Sequence, residues 1–336
     1  MFGQQKITSV KKNSDNEGWN LIGNPYTSAI NWDLVNLSAS NLNNAIYFWN
    51  GINYSSYVSG AGTNGGVNII PSMQGFFVQC NNDEDGILSF ENSYKLSSAQ
   101  NNFKKNGKKE EKNFLRIFAK NKDFSDEIIV RFMENAISNF DKEFDAKKKF
   151  NENKNEIPQI FTKSKDNEKL VINSLPFFEE KITVETSILI ENFENFELNF
   201  QKINFEKDIF IYLENLQNNE ILDIEKINNY KINKISDKKE YKFLLHFLKK
   251  NDEIQEKNFL IYSYKNKIYI KNNFKKGINV ELEIFDILGK SVLKKSIKNL
   301  YFEEFTLQKK GIFFCKLKYS LENSEKEIIE KIKIFY

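Results

Sequence analysis

Arginine is almost missing from this 336-residue chain: Arg116 and Arg131 are the only two among 49 basic residues. Lysine carries the remaining positive charge. It is a point charge without the planar fork of a guanidinium, so bidentate recognition of phosphate is poorly supplied. The 46 acidic residues leave a net charge of +3, with both signs interspersed along the chain. No basic face of the kind that binds nucleic acid is expected from that balance. His246 is the only histidine, which excludes multi-histidine metal sites such as H-E-x-x-H. Two cysteines, Cys80 and Cys315, are too few and too far apart for a disulfide-built scaffold. No stretch approaches the ~20 apolar residues of a membrane-spanning helix. The opening Met1-Phe2-Gly3-Gln4-Gln5-Lys6 also lacks the apolar core of a signal peptide.

What is abundant is aromatic: 31 Phe and 14 Tyr. With isoleucine, these side chains favour the pleated surface of a strand. Helical periodicity is scarce. Short apolar runs recur between turn signals, which predicts an all-β fold of tandem β-sandwiches. At ~100–200 residues per domain, two or three domains are expected.

Residues 1–100 form an Asn-, Gly- and aromatic-rich β domain. Ala45-Ile46-Tyr47-Phe48-Trp49 followed by Asn50-Gly51 is its strongest hairpin signal, because Asn-Gly takes positive φ cheaply. Residues 101–113 read as a charged linker, 114–248 as a β-sandwich, and 249–258 as a second linker. The polar stretch Lys147–Glu156 reads as a long loop. Residues 259–336 carry about seven strand candidates, enough for a small immunoglobulin-like sandwich. In Val280-Glu281-Leu282-Glu283-Ile284 apolar residues alternate with glutamates, so one face is buried and one is wet. Phe313, Cys315, Leu317 and Tyr319 form a second one-sided stripe, which makes Cys315 a small core residue rather than a nucleophile. Segment 327–334 suits helix or strand, and its β-branched content favours strand.

The chemistry-bearing motifs are weak. Gly60-Ala61-Gly62-Thr63-Asn64-Gly65 satisfies G-x-G-x-x-G, but a dinucleotide loop needs a helix directly after it, and Pro71 with no helical period follows instead. Asn81-Asn82-Asp83-Glu84-Asp85-Gly86 resembles the start of a calcium loop. Asn81 and Asn92 stand where a carboxylate and a bidentate Glu are required, so a turn is the better reading. A lone His246 in a predicted strand, remote in sequence from Cys80, supplies no nucleophile–base pair. Neither a cofactor nor an enzymatic activity is expected. Trp19, Trp32 and Trp49 cluster in the first hundred residues; aromatic faces stack on sugar rings, and the three are the candidate glycan contacts if they share an exposed face.

Three segments of the last unit resemble one family. Val280-Glu281-Leu282-Glu283-Ile284-Phe285-Asp286-Ile287-Leu288-Gly289-Lys290 is a strand ending in an aromatic–Asp–x–x–Gly–Lys turn. Gly311-Ile312-Phe313-Phe314-Cys315-Lys316-Leu317 begins a second strand, and Lys331-Ile332-Lys333-Ile334 is a basic-apolar closing strand. Their order and spacing resemble the C-terminal sorting domain of proteins exported by the type IX (Por) secretion system of Bacteroidetes, over residues ~257–336. Gly18–Pro25, Trp49-Asn50-Gly51, Gly62–Gly65, Met73–Val78, Val130-Arg131-Phe132 and Asp145-Ala146-Lys147 are similar to segments that often precede such domains. The resemblance implies a surface or secreted protein. Asp286, Gly289, Lys290, Gly311 and Lys331 would be its sorting-motif residues, the secretion machinery its partner, and the upstream sandwiches a spacer or adhesive passenger. A carbohydrate-binding or adhesin module and a remnant of a secreted hydrolase are the alternatives. Because that export route begins with a signal peptide, the chain is expected to be N-terminally incomplete.

Overall fold

The computed structural model describes residues 6–10, 17–37, 40–81, 84–96, 113–151, 156–178, 181–191, 195–205, 209–218, 220–233, 239–249, 259–264, 267–272, 276–320 and 328–335. Among these there is no α-helix, and the chain is all-β. It divides into two compact units, residues 1–250 and 251–336.

The first unit opens with β1 (Lys6–Val10), β2 (Trp19–Gly23), β3 (Ile30–Asn31), β4 (Ile46–Trp49), β5 (Tyr54–Val58), β6 (Ala61–Thr63), β7 (Ile69–Ile70), β8 (Gly75–Gln79) and β9 (Gly86–Phe90). It continues with β10 (Phe114–Lys120), β11 (Ser125–Phe132), β12 (Ala146–Lys147), β13 (Gln159–Lys163), β14 (Lys169–Leu175), β15 (Lys181–Leu189), β16 (Asn195–Ile203), β17 (Ile209–Asn215), β18 (Glu220–Asp223), β19 (Asn229–Asn233) and β20 (Glu240–Lys249).

Strands β2-β8-β4-β5-β6 make a five-stranded sheet whose two faces are both used. Ile46, Tyr57, Phe76 and Val78 point to one side, into a core with Ile30, Trp32, Leu42, Leu88 and Phe90. Tyr47, Val58 and Ala61 belong to the other side, in a core shared with β10–β20. That explains why Ala45–Trp49 is apolar without alternation: it lies in a middle layer. The expected hairpin is present, with β4 and β5 paired Trp49↔Tyr54. Its turn is longer than the dipeptide signal suggests, because Asn50 Oδ1 accepts N–H bonds from Ile52 (3.0 Å) and Asn53 (2.9 Å) and keeps both out of the strand.

The larger sheet runs β18-β17-β20-β15-β13-β14-β11-β10-β16-β19, with β12 on β14. All its neighbours are antiparallel except β11 and β14. It curls on itself. Phe196 on β16 meets Tyr241 on β20 at 5.2 Å between ring centres. Asn215 donates to the Tyr230 hydroxyl (2.9 Å), which donates to Glu220 (2.7 Å), so the two end strands are tied together.

Segments on either side of 101–113 therefore share one core, and both arginines stitch them. Arg131, 3% exposed, donates to the carbonyls of Ser59 and Phe144 (2.9 Å each) and to the Ser174 hydroxyl (2.7 Å). Arg116 donates to the Gly62 carbonyl (2.8 Å). Residues 101–112 of the expected linker lie outside the described residues.

The second unit holds β21 (Phe259–Tyr264), β22 (Lys267–Asn272), β23 (Ile278–Asp286), β24 (Ser291–Leu300), β25 (Phe302–Phe305), β26 (Ile312–Tyr319) and β27 (Ile328–Phe335). They form the expected seven-stranded sandwich, β21-β22-β25 over β24-β23-β26-β27. Its core takes Phe259, Ile261, Ile268 and Ile270 from one sheet and Val280, Leu282, Ile284, Phe313, Cys315 and Leu317 from the other. The glutamate alternation of β23 places Val280, Leu282 and Ile284 inward as read from the sequence, and the ambiguous last segment is strand β27.

Candidate functional site

The three tryptophans part company. Trp32 is 1% exposed, donates its indole N–H to the Asn44 carbonyl (2.8 Å) and packs on Phe76. It is a core residue on the far side of the five-stranded sheet, and the expectation of a glycan contact there is corrected by that burial. Trp19 and Trp49 share the opposite face. Leu21 pairs with Phe77 and Phe77 with Tyr47, so these three side chains stand together, and the period of two adds Trp19 and Trp49. Trp49 packs against Tyr54 (5.2 Å) and Tyr54 against Phe77 (5.7 Å), while Trp19 meets Tyr47 edge-on (4.8 Å). Trp49 and Leu21 remain well exposed, 47% and 65%.

A lysine completes the cluster. Lys149 Nζ lies 4.4 Å from the Trp19 ring centre, 4.6 Å from Phe77 and 5.1 Å from Tyr54. Ring faces are negative, so each attracts the ammonium. The backbone holds it there from both sides. Lys148, one residue before, forms a buried ion pair with Asp126. Asn151, two residues after, donates to the Ile52 carbonyl (2.8 Å) and exchanges bonds with the Gln159 amide. Lys147 pairs with Glu168 at 3.0 Å. The stretch Lys147–Glu156, expected as a polar loop, thus begins with three consecutively anchored lysines. Residues 152–155 lie outside the described residues. Nothing in the sequence separated these lysines from solvated ones, because their partners lie far away along the chain.

The carboxylates beneath are structural. Asp126, 1% exposed, accepts from the Ile160 backbone N–H (3.0 Å) and the Asn64 amide (2.8 Å) besides Lys148. Burial raises Glu127 above the usual carboxylate range. These bonds clamp the glycine-rich loop onto β11. A Cβ on Gly62 would lie 2.0 Å from the Gly66 carbonyl oxygen, and one on Gly66 2.1 Å from that of Ser56. The glycines therefore serve close backbone packing in a β5–β6 hairpin, with no helix following.

Elsewhere in the first unit, His246 is fully buried. Its Nε2 meets Glu214 at 2.9 Å and its Nδ1 meets the Thr183 hydroxyl at 3.0 Å. Burial holds its pKa down at about 4, so the ring is neutral at physiological pH. A neutral ring accepting from Thr183 at Nδ1 donates its Nε2 proton to Glu214. Asp145 is pushed the other way, up to about 7, chiefly by burial. Among the described residues, no three His, Cys, Asp or Glu gather as metal ligands. Of the calcium-loop resemblance, Asn82 and Asp83 lie outside the described residues.

In the second unit Asp286, Gly289 and Lys290 meet in one turn. Asp286 Oδ1 accepts the N–H groups of Leu288 and Lys290 (2.9 Å each), and Gly289 N–H bonds the Asp286 carbonyl (3.0 Å). Gly289 has φ +78°, the left-handed conformation glycine adopts without strain. The turn holds Ile287 and Leu288 out in solvent, 68% and 87% exposed. Gly311 sits just ahead of Phe313, which pairs with Asp286, so it lies at the same end of the sheet. Lys331 is on β27 opposite Lys316.

The sequence pattern of one protein family, described as a domain of unknown function (DUF8693), matches residues 2–247. The chain belongs to that family. The DUF8693 match spans both sides of 101–113 and ends within β20, in step with the first compact unit. It holds the lysine–aromatic cluster and leaves the seven-stranded sandwich outside. No curated protein matches the chain in sequence. Among solved structures, one named a polysaccharide lyase aligns over 66% of this chain and 39% of its own, at 12% identity and a TM-score of 0.21. The chain therefore spans well under half the length of that structure. No helix among the described residues is long and apolar enough to cross a membrane.

Proposed function

We propose that the chain belongs to an exported cell-surface or secreted protein of a Bacteroidetes-type bacterium. In this reading residues 259–336 are the type IX sorting signal, and the DUF8693 unit is a spacer or adhesive passenger that binds rather than catalyses. The observation that supports it is a separate seven-stranded unit, outside the family match, in which Asp286 and Gly289 build one rigid turn. The resemblance rests on those same residues. The test places the full chain behind a signal peptide in a host with the secretion machinery, with and without residues 251–336. Surface exposure to added protease only when 251–336 is present supports the reading. Equal exposure of both forms, or retention of both in the periplasm, contradicts it.

A second reading, contact with surface glycans, is favoured by the shared face of Trp19 and Trp49 and by the exposure of Trp49 beside Tyr54. Aromatic rings that keep an open face stack on the apolar faces of sugars.

A further inference from the structure

Exposed apolar side chains of the second unit gather at one end. Ile287 and Leu288 stand at the apex of the Asp286–Lys290 turn, and Val292, Ile312 and Phe314 are exposed beside it. Among the described residues of this unit only Tyr301 is another large apolar side chain so exposed. It follows Leu300, which pairs with Ile278 at the far end of β23. Register explains the gathering. Phe313 pairs with Asp286 and points into the core, so Ile312 and Phe314 point outward, with Phe314 across from Phe285. Val292 is the extra residue between Ser291 and Leu293, which face Phe285 and Ile284. Single apolar residues are ordinary on a surface, whereas a contiguous group with a polar rim marks an interaction site.

The turn holds its apolar pair out. Asp286 Oδ1 accepts the Leu288 and Lys290 N–H groups and Gly289 is left-handed, so the backbone under Ile287 and Leu288 is set before any partner arrives. The ordering cost of burying the pair is thereby reduced. The rim is positive. Lys290 closes the turn, and the register that pairs Phe313 with Asp286 brings Lys309, Lys310 and Gly311 alongside it. All three lysines are exposed. Asp286 is the one carboxylate within 285–292 and 306–314, and its Oδ1 is engaged inside the turn. Farther along the same face Glu283 stands between Lys294 and Lys316, so opposite signs meet there.

We propose that this end of the second unit docks on an anionic lipid bilayer, with Ile287 and Leu288 inserted below the headgroups and Lys290, Lys309 and Lys310 on the headgroup phosphates. An interfacial membrane contact combines buried apolar area with attraction to anionic lipid, and both are present at this end. A protein partner matches it less well, because lysine is depleted in protein–protein interfaces. The inference stands apart from the sorting reading and uses no step of export.

The test is flotation of the full chain with vesicles of phosphatidylglycerol mixed into phosphatidylcholine, and with vesicles of phosphatidylcholine alone. The expected result is binding to the mixed vesicles, weakened by high salt, and at least about tenfold weaker binding to phosphatidylcholine. Lys309→Gln/Lys310→Gln should weaken binding about thirtyfold, about fivefold for each lysine at a charged surface. Ile287→Ser/Leu288→Ser should weaken it at least about tenfold with the melting temperature in place, since both side chains are exposed. Leu288→Cys, labelled with a polarity-sensitive fluorophore, should shift its emission to the blue when mixed vesicles are added; Cys80 and Cys315 are buried and leave the label to the new site. Equal binding to both vesicle types overturns the anionic lipid. Binding that Ile287→Ser/Leu288→Ser leaves unchanged, or no binding to either vesicle, overturns the proposal. If that double variant then still loses surface export, this end belongs to a protein partner instead.

Discussion

Lys148 and Asp126 meet as an ion pair with side chains 5% and 1% exposed, joining the start of β11 to the segment after β12. Such a pair recovers its desolvation cost only while both partners and the added hydrogen bonds are present. Lys148→Ala should therefore destabilise the first unit by about 3–5 kcal/mol, because it strands the Asp126 carboxylate. The double variant Lys148→Ala/Asp126→Ala should cost less than the sum of Lys148→Ala and Asp126→Ala measured singly. Urea denaturation of the three variants checks this, and additive losses would contradict it.

The tryptophans should separate in the same experiment. Trp32→Ala empties a fully enclosed site and orphans the Asn44 carbonyl, for a loss of about 3–5 kcal/mol. Trp49→Ala, at the exposed end of β4, should stay within about 1 kcal/mol of the parent. Acrylamide should quench Trp49 emission and leave Trp32 unquenched.

Two buried groups give opposing pH dependences. His246 has a folded pKa of about 4 against its ordinary 6.5, so below 6.5 the unfolded chain binds a proton that the fold refuses. Its contribution falls with acid until about pH 4, for a total of about 3 kcal/mol. Asp145, at about 7 against 3.8, keeps its proton in the fold while the unfolded chain releases it. Its contribution is fully present below 3.8 and is lost as pH rises to 7, by about 4 kcal/mol. Between pH 4 and 6.5 the two slopes cancel. Relative to the parent, Asp145→Asn should lose stability as pH falls through that window, and His246→Gln should gain it. Melting temperatures at half-unit pH steps read both; parallel curves for all three proteins would contradict the assignment.

Glycine is required where backbones touch. Gly62→Ala drives a methyl into the Gly66 carbonyl and should cost about 3 kcal/mol. Gly23→Ala has open space and should cost under about 1 kcal/mol. Thermal unfolding of the two variants compares them directly.

The strands were legible because period-two alternation and turn dipeptides are local. Val280 to Ile284 announces its buried face, and Asn50-Gly51 announces a hairpin. What was not legible is pairing across distance. Arg131 bonds Ser59 from 72 positions away, so a charged stretch at 101–113 looks like a boundary although the segments on either side of it share one core. The same holds for the candidate site. Trp32 and Trp49 are alike as residues, and only the sheet decides which side each takes. Lys149 sits in a run of three lysines that composition assigns to solvent. The one local signal was the unalternating Ala45–Trp49 run, which marks a strand covered on both faces.

The reading of the second unit as a sorting signal is tested most directly by moving it. A signal peptide, a folded reporter and residues 251–336 are joined and expressed in a host with the type IX machinery, and the reporter is assayed at the cell surface and in the periplasm. Reporter is expected at the surface or in the medium, with loss of that export when Asp286 and Gly289 are both replaced by Ala. Reporter held in the periplasm with residues 251–336 intact would contradict it.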